Sequence, residues 1–179
     1  ESAIFDRVSD YITSEKPAVM IFEDYNKGVL TEGLITRIIH LCRQHGVITT
    51  VDPKKKNFFA YKGVDIFKPN LKEVKEGLNL LVDQIDLSSL KQIHETLQQH
   101  LHHKISLITL SEKGVFYQDE TSHRIIPTHI RNIADVSGAG DTVIAVTALS
   151  YAATRDIHLA AEMANIAGGL VCEEVGTAA

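Results

Sequence analysis

Short continuous runs of apolar residues alternate along this chain with longer segments in which apolar residues recur every three or four positions. The runs are typical of strands buried on both faces of a sheet, and the wider spacing is typical of amphipathic helices. A strand, helix, strand order requires a parallel pair joined by a right-handed crossover. The pattern predicts strands at residues 18–22, 47–51, 64–67 and 105–110, and helices at residues 2–14, 31–45, 87–101, 141–151 and 159–174.

Polar residues follow the first two predicted strands. Asp24 and Lys27 come after the first strand, and Asp52 and Lys54 come after the second. Ligands of an open α/β sheet bind beyond the carboxyl ends of its strands, so we expect Asp24, Asp52 and Lys54 to line one edge. A polar loop with a glycine turn explains Asp24 and Lys27 equally well. The lysines at 54–56 fit a solvated loop, with one lysine facing phosphate, better than a nucleic-acid patch.

Two further turns carry candidate residues. Asn70 is suited to cap a helix, and Glu73, three residues later, completes a capping-box pattern. The fourth strand ends at Thr109, and the turn that contains Ser111 and Gly114 leads into an alternating hairpin at 115–118 and 123–127.

The stretch at residues 135–142 reads D-V-S-G-A-G-D-T and joins a polar segment to a long apolar run, which predicts a loop that enters a helix. The first N–H groups of a helix lack intrahelical acceptors and lie at the positive end of its dipole, so they can bind an anion. Gly138 and Gly140 let a ligand approach the backbone, and Ala139 adds little bulk. Asp141 falls in the first turn, where its carboxylate can face the ligand. This arrangement suits phosphoryl transfer.

A simpler interpretation of the same stretch is a well-capped helix. Asp135 or Ser137 would be the N-cap and Asp141 an acid that interacts with the dipole, each worth a few tenths to about 1 kcal/mol. A lone G-x-G would favour this interpretation. The full string of eight residues is far more specific.

Composition restricts the function further. The chain has 179 residues, 44% of them apolar, enough for one sizeable core, and no apolar run approaches the length of about 20 residues that spans a bilayer. Cys42 and Cys172 lack metal-ligand spacing, and no export leader opens the chain, so we expect buried thiols and a cytoplasmic location. A net charge of −5 argues against a broad nucleic-acid surface. His100 and His103 are interpreted as a polar helix end, without zinc.

The string at 135–142 resembles the C-terminal signature of the ribokinase-like (PfkB-type) carbohydrate kinases. Other strings typical of this family occur in the same order over nearly the whole chain. They are D-Y-N-K-G-V-L, V-D-P-K, K-P-N-L-x-E and T-L-S-E-K-G before the signature, and A-N-I-A and G-T-A after it. The first two look most like the branch that phosphorylates the anomeric hydroxyl of heptose 7-phosphate.

The resemblance implies a doubly wound, mainly parallel sheet flanked by helices, and a role for each matching residue. Residues 1–179 would form a single partial kinase domain, on the nucleotide side, whose N-terminal part and lid are missing. For Asn165 a buried hydrogen bond between helices competes with the role implied by the family. The implied roles are: catalytic base, Asp141; anion hole, Gly138, Ala139 and Gly140; magnesium and phosphates, Asn70 and Glu73; ribose and phosphates, Thr109, Ser111 and Gly114; adenine, Asn165; substrate, Asp24, Lys27 and Lys54; monovalent cation, Asp135.

The same resemblance implies ATP-dependent transfer of the γ-phosphoryl group to a sugar hydroxyl, with Mg²⁺ and a monovalent cation, K⁺, as cofactors. The partners would be a sugar phosphate, ATP and a second copy of the chain in a homodimer, with no nucleic acid and no membrane. Two alternatives stay open. The acceptor could be ribose, fructose phosphate or a nucleoside, or the chain could be a nucleotide-binding module without turnover.

Overall fold

The computed structural model describes residues 1–81, 85–128, 134–173 and 176. Within these residues six strands form one sheet, in which they lie in the order of the chain. The first four pair in parallel, and the last two extend the sheet as an antiparallel hairpin. The strands are β1 (Val19–Glu23), β2 (Ile48–Asp52), β3 (Ile66–Phe67), β4 (Ile105–Thr109), β5 (Val115–Gln118) and β6 (His123–Ile126).

Of the described α-helices, one precedes β1, one lies between β1 and β2, two lie between β3 and β4, and two follow the hairpin. They are α1 (Ser2–Glu15), α2 (Glu32–Gln44), α3 (Leu71–Gly77), α4 (Leu87–Leu101), α5 (Ala139–Thr154) and α6 (Ile157–Glu173), with short 3₁₀ turns at Lys55–Asn57 and Ser111–Lys113. Among the described helices, none has the length and the apolar character that crossing a membrane requires.

Neighbouring residues of the strands point to two different cores. Phe67, Ile108 and Phe116 pack with the side chains of α1, α2 and α4. Their neighbours Ile66 and Leu107 pack with α5 and α6 on the other face. This alternation follows from the period of two in a strand, and it requires helices on both faces of the sheet. The predicted doubly wound, mainly parallel α/β fold is therefore confirmed.

Most of the predicted helices and strands are confirmed with small shifts at their ends, but two differ more. The predicted 141–151 helix begins earlier, at Ala139, and continues to Thr154. The predicted third strand is reduced to Ile66–Phe67, because only these residues pair with both β2 and β4. Residue 174 of the last predicted helix and residues 177 and 178 of the G-T-A string lie outside the described residues.

Small residues let α5 and α6 pack closely. Ala160, Ala161 and Ala164 are fully buried. A Cβ atom added to Gly168 would lie 2.6 Å from Cγ2 of Val143 on α5. This distance is shorter than van der Waals packing allows, so a larger residue at position 168 would force Val143 or α6 to shift.

A buried polar cluster lies between α4 and β4. The Ser106 hydroxyl is within hydrogen-bond distance of His94 Nδ1 at 2.8 Å and of His103 Nε2 at 2.7 Å. His103 is only 1% exposed, so its interpretation as part of a polar helix end is wrong. Burial lowers the pKa of His94, and burial together with the nearby His94 lowers the pKa of His103 to about 3. Both imidazoles are therefore neutral in the folded protein at pH 7.

Gly114 closes the turn between β4 and β5 in a backbone conformation that excludes side chains. Its φ is +96° and its ψ is −135°, a region that essentially only glycine occupies. A Cβ atom at this position would overlap the carbonyl oxygen of Ile126 on β6. Gly114 is thus required by the fold, whether or not it also contacts a ligand.

We expect the free energy of unfolding to fall as pH decreases from about 6.5 towards 3. The unfolded chain takes up a proton at His103 near pH 6.5, whereas the folded chain does not until about pH 3. Between these two pH values, His103 alone lowers the free energy of unfolding by about 1.4 kcal/mol for each unit that the pH falls. Urea unfolding at pH 7.5 and 5.5 measures the loss. His103→Gln, which keeps a polar atom for Ser106, should lose less free energy of unfolding between these pH values. An equal loss in the two proteins would contradict the assignment of the pH dependence to His103.

We also expect Gly114→Ala to lower the free energy of unfolding by at least about 2 kcal/mol, because the alanine forces either an unfavourable φ or a clash with the Ile126 carbonyl. Gly28→Ala is the matched control. Gly28 has φ +84° but no atom within 4 Å of an added Cβ. Gly28→Ala should lower the free energy of unfolding by about 1 kcal/mol, because only the unfavourable φ contributes. Equal losses in the two variants would show that the Ile126 contact is unimportant.

Candidate active site

A cavity of about 640 Å³ opens at the carboxyl ends of β2, β3 and β4 and is closed by the starts of α3 and α5 and by one side of α6. Parallel pairing places these strand ends at one edge, where ligands of open α/β sheets bind. The sequence-predicted residues that line the cavity are Lys54, Asn70, Thr109, Ser111, Gly114, Ala139, Gly140, Asp141 and Asn165.

The start of α5 carries the residues that the sequence predicts to form an anion hole, and it closes one side of this cavity. Gly138 is the N-cap, with φ +78° and ψ −7°, and no side chain caps the helix. The first helical bond runs from the Thr142 N–H to the Gly138 oxygen at 2.9 Å. The N–H groups of Gly140 and Asp141 precede that bond, so they remain available to a ligand. The N–H of Ala139 already donates to the Val136 oxygen at 3.3 Å, and the part of Ala139 in an anion hole stays a prediction.

Asp135 organises the loop instead of capping the helix. Its Oδ1 accepts hydrogen bonds from the N–H and the hydroxyl of Ser137 at 3.0 and 2.8 Å, and its Oδ2 accepts one from the Gly176 N–H at 3.2 Å. These hydrogen bonds lower the pKa of Asp135, and the bond from the Ser137 N–H has the largest effect. The interpretation of Asp135 or Ser137 as the N-cap is therefore wrong. Binding of a monovalent cation at Asp135 stays a prediction.

Four side chains of alternating charge follow one another, and three of them, Lys68, Asp52 and Lys54, line the cavity. Lys68 Nζ is 3.2 Å from Asp52 Oδ2, Lys54 Nζ is 3.1 Å from Asp52 Oδ1, and Lys54 Nζ is 2.7 Å from Glu73 Oε1. Burial alone would lower the pKa of Lys54, but the hydrogen bond to Glu73 and the attraction of Asp52 outweigh it and raise that pKa. We call Lys68, Asp52, Lys54 and Glu73 the charge chain.

Asn70 and Glu73 form the capping box that their spacing predicts. The Glu73 N–H donates to Asn70 Oδ1 at 2.8 Å, and the Asn70 N–H donates to Glu73 Oε2 at 2.9 Å. Both oxygens of Glu73 are thus engaged, and this residue does not line the cavity. No group of three or more His, Cys, Asp or Glu side chains in the described part of the chain is placed to hold a metal. Magnesium commonly binds through substrate phosphates and only one or two carboxylates, which is compatible with this arrangement.

Asp141 meets residues from the end of β1. The pKa of Tyr25 is raised to about 12, mainly by a hydrogen bond to the Asp141 carboxylate and next by burial. The Tyr25 hydroxyl also lies 3.4 Å from Glu23 Oε2. Burial, followed by repulsion from Asp141, raises the pKa of Glu23. The Asp141 carboxylate at the start of α5 therefore interacts electrostatically with Glu23 and Tyr25 near the end of β1.

Asp24 and Lys27 lie outside the cavity, along a separate groove between β1 and the helices α1 and α2. Asp24 is 4% exposed, and its Oδ2 accepts hydrogen bonds from Asn57 Nδ2 and the Tyr61 hydroxyl, both at 2.8 Å. Asp24 still lies at the same sheet edge as Asp52, since its N–H donates to the Asp52 oxygen at 3.3 Å, but of Asp24 and Lys54 only Lys54 lines the cavity. Contact of Asp24 or Lys27 with a substrate stays a prediction.

Asn165 links α6 to the end of the hairpin. Its Nδ2 donates to the Pro127 oxygen at 2.8 Å. The alternative prediction for Asn165, a hydrogen bond between two helices, is thus wrong, because the partner is a backbone carbonyl next to β6. On the opposite wall, the Leu110 N–H bonds to the Gly114 oxygen at 2.8 Å and shapes the turn of Thr109, Ser111 and Gly114.

Sequence reasoning missed two residues of this region. Lys68 follows β3 directly, so the rule that polar residues at strand ends face ligands would have found it. Tyr25 lies within the D-Y-N-K-G-V-L string, but no pattern in the sequence indicates that it reaches Asp141, which is far away along the chain.

The model of the pfkB family carbohydrate kinases matches residues 10–179. The bifunctional protein HldE of Sulfurimonas denitrificans is 39% identical over 160 residues, which cover 89% of this chain and 33% of that protein. The chain thus spans about a third of the length of such relatives.

Two solved structures share the fold at low identity. Phosphofructokinase-2 from Escherichia coli, in complex with potassium, has a TM-score of 0.83 at 15% identity and covers 97% of this chain and 57% of its own. Arabidopsis thaliana ribokinase, complexed with ribose and ATP, has a TM-score of 0.79 at 15% identity, over 99% of this chain and 55% of its own. The family match over nearly the whole chain places this protein in the pfkB family of carbohydrate kinases.

Proposed function

We propose that this chain forms the nucleotide-binding part of a kinase that transfers the γ-phosphoryl group of ATP to a hydroxyl of a sugar phosphate. One observation carries the proposal. The uncapped start of α5, with the free N–H groups of Gly140 and Asp141, lines a cavity of about 640 Å³ together with the Asp141 carboxylate. Membership in the pfkB family supports the same chemistry.

Asp141 is the group in this cavity that suits a general base. Its carboxylate would accept the proton of the sugar hydroxyl as that oxygen forms a bond to the γ-phosphorus and the bond from the γ-phosphorus to the bridging oxygen of ADP breaks. The N–H groups of Gly140 and Asp141 would stabilise the negative charge on the transferring group. Gly138 contributes by holding the turn that presents them.

The nucleotide would lie along the cavity from the start of α5 to Asn165. Thr109, Ser111 and Gly114 form the wall beside its ribose and phosphates, and Asn165 forms the wall beside adenine. Magnesium, which neutralises phosphate charge when bound, is assigned to Asn70 and Glu73, of which only Asn70 lines the cavity. Asp135 would contribute to a site for a monovalent cation, K⁺.

We infer heptose 7-phosphate, phosphorylated at C1, as the acceptor. The support is the resemblance of the D-Y-N-K-G-V-L and V-D-P-K strings and the 39% identity to the bifunctional protein HldE. Ribose, fructose phosphate or a nucleoside are the alternatives within the same chemistry. Cytoplasmic location and assembly as a homodimer belong to the proposal as well.

A nucleotide-binding module without turnover is the second candidate. One observation favours it: Asp24 and Lys27, two of the three residues expected to bind the sugar, lie away from the cavity. Phosphoryl transfer depends on positioning of both reactants, so a chain that holds only one of them would bind ATP without transferring phosphate.

We expect Asp141→Asn to lower the turnover number by about 10²- to 10⁴-fold, because the amide cannot accept the hydroxyl proton. ADP release from ATP in the presence of heptose 7-phosphate measures the rate, and calorimetry measures the affinity for Mg-ADP, which should change little. Asp10→Asn, on the exposed side of α1, is the control that removes a carboxylate elsewhere.

Unchanged turnover in Asp141→Asn would contradict the role of Asp141 as the base. Tight binding of Mg-ADP by the unaltered chain without any turnover would favour the module over the kinase. Absence of nucleotide binding in the unaltered chain would contradict both.

A further inference from the structure

Tyr25 is a large aromatic residue whose position is not explained by burial. It lies two residues beyond the end of β1, and its side chain is 55% exposed. Aromatic side chains normally stabilise a protein through the area that they bury. The polar contacts of Tyr25 are made instead by its hydroxyl, which lies 3.4 Å from Glu23 Oε2 and forms a hydrogen bond with the Asp141 carboxylate.

The arrangement of the sheet edge brings Tyr25 to Asp141. Glu23 at the end of β1 pairs with Asp52 at the end of β2. A Cβ atom added to Gly140 would lie 3.7 Å from Asp52 Oδ2, so the first turn of α5 lies beside the ends of these two strands. Asp141 is the residue after Gly140, and it is therefore within reach of a side chain that follows β1.

The backbone on either side of Tyr25 is fixed by hydrogen bonds. Asp24 is buried, and its Oδ1 accepts a bond from the Asn26 N–H at 2.8 Å. Its Oδ2 accepts a bond from Asn57 Nδ2 at 2.8 Å, and the same Nδ2 donates to the Leu30 oxygen at 2.8 Å. These bonds hold the segment against the 3₁₀ turn that follows β2, so the Tyr25 side chain starts from a defined position.

Glu23 is the competing acceptor for the same hydroxyl. The distance of 3.4 Å to its Oε2 is long for an O–H···O bond, which is ordinarily about 2.5 to 3.0 Å. Burial, followed by repulsion from Asp141, raises the pKa of Glu23, as expected where two like charges lie close together. Donation from Tyr25 to Asp141 therefore also reduces the repulsion between two carboxylates.

We propose that Tyr25 is a positioning residue that orients the Asp141 carboxylate through its hydroxyl. The inference deepens the proposed function and rests on it. A phenol has one O–H donor, and an ionised carboxylate has two acceptor oxygens. Donation from Tyr25 to one oxygen of Asp141 fixes the orientation of the carboxylate and leaves the other oxygen to accept the proton of the sugar hydroxyl.

A titration of residue 25 tests the contact without requiring turnover. A fluorinated tyrosine whose phenol ionises near neutral pH is incorporated at position 25, and its ¹⁹F signal is followed against pH in the otherwise unaltered chain and in Asp141→Asn. A nearby carboxylate that accepts the phenol proton opposes its loss, so we expect the midpoint to lie roughly one pH unit or more lower in Asp141→Asn.

The same fluorinated tyrosine at position 11 is the matched control. Tyr11 is 57% exposed, close to the value for Tyr25, and lies on α1. Its midpoint should be the same in the two chains. Equal midpoints at position 25 in the two chains would overturn the contact between Tyr25 and Asp141 and leave the proposed function intact.

Turnover separates positioning from a purely structural role. Tyr25→Phe keeps the ring and removes the hydroxyl, and we expect it to lower kcat about tenfold, as loss of one hydrogen bond to a charged group implies, with the affinity for Mg-ADP unchanged. In Asp141→Asn the same substitution should have no further effect, because Tyr25 acts through that carboxylate. Tyr11→Phe should leave kcat unchanged.

An equal loss from Tyr25→Phe in both backgrounds, or no loss where Asp141 is present, would contradict the positioning role. If the unaltered chain binds Mg-ADP without turnover, the titration alone decides: a lower midpoint in Asp141→Asn supports the proposal, and an equal one overturns it. A lower midpoint combined with unchanged turnover in Asp141→Asn would instead refute the proposed function, so the two failures are distinguishable.

Discussion

Parallel pairing of β1 to β4 is the constraint on which the site depends. The register places Glu23 opposite Asp52, and Lys68 and Thr109 follow at the ends of the next two strands. Because all four strands point the same way, their charged and polar ends meet at one edge. The start of α5 and the side of α6 then close a cavity over that edge.

Local backbone requirements and buried charges act together at this edge. The left-handed conformation of Gly138, with φ +78°, turns the chain so that α5 begins without a side-chain cap. A capping side chain would occupy the N–H groups that the proposed phosphate needs. The charge chain lies beside the same turn and compensates its own charges. The free N–H groups at the start of α5 thus lie where the proposed function requires an anion.

Much of the fold and the position of the cavity could be predicted from apolar periodicity, strand ends and the capping box. The failures have physical causes. Asp24 directly follows β1, and a shift of one residue in an extended segment reverses the direction of a side chain, so Glu23 is exposed and Asp24 is buried. The partner of Asn165 is Pro127, which lies in another element, and such contacts leave no local pattern. His103 is buried because α4 packs on β4, and the polar residues around it in the sequence do not indicate this packing.

The measurement that tests the proposed function most directly is a crystal structure of the chain with the magnesium complex of the non-hydrolysable imido analogue of ATP bound. We expect the γ-phosphate of the analogue to lie at the start of α5, near the N–H groups of Gly140 and Asp141, with adenine beside Asn165. A nucleotide bound along the groove of Asp24 and Lys27, or one that leaves the start of α5 without phosphate, would contradict it.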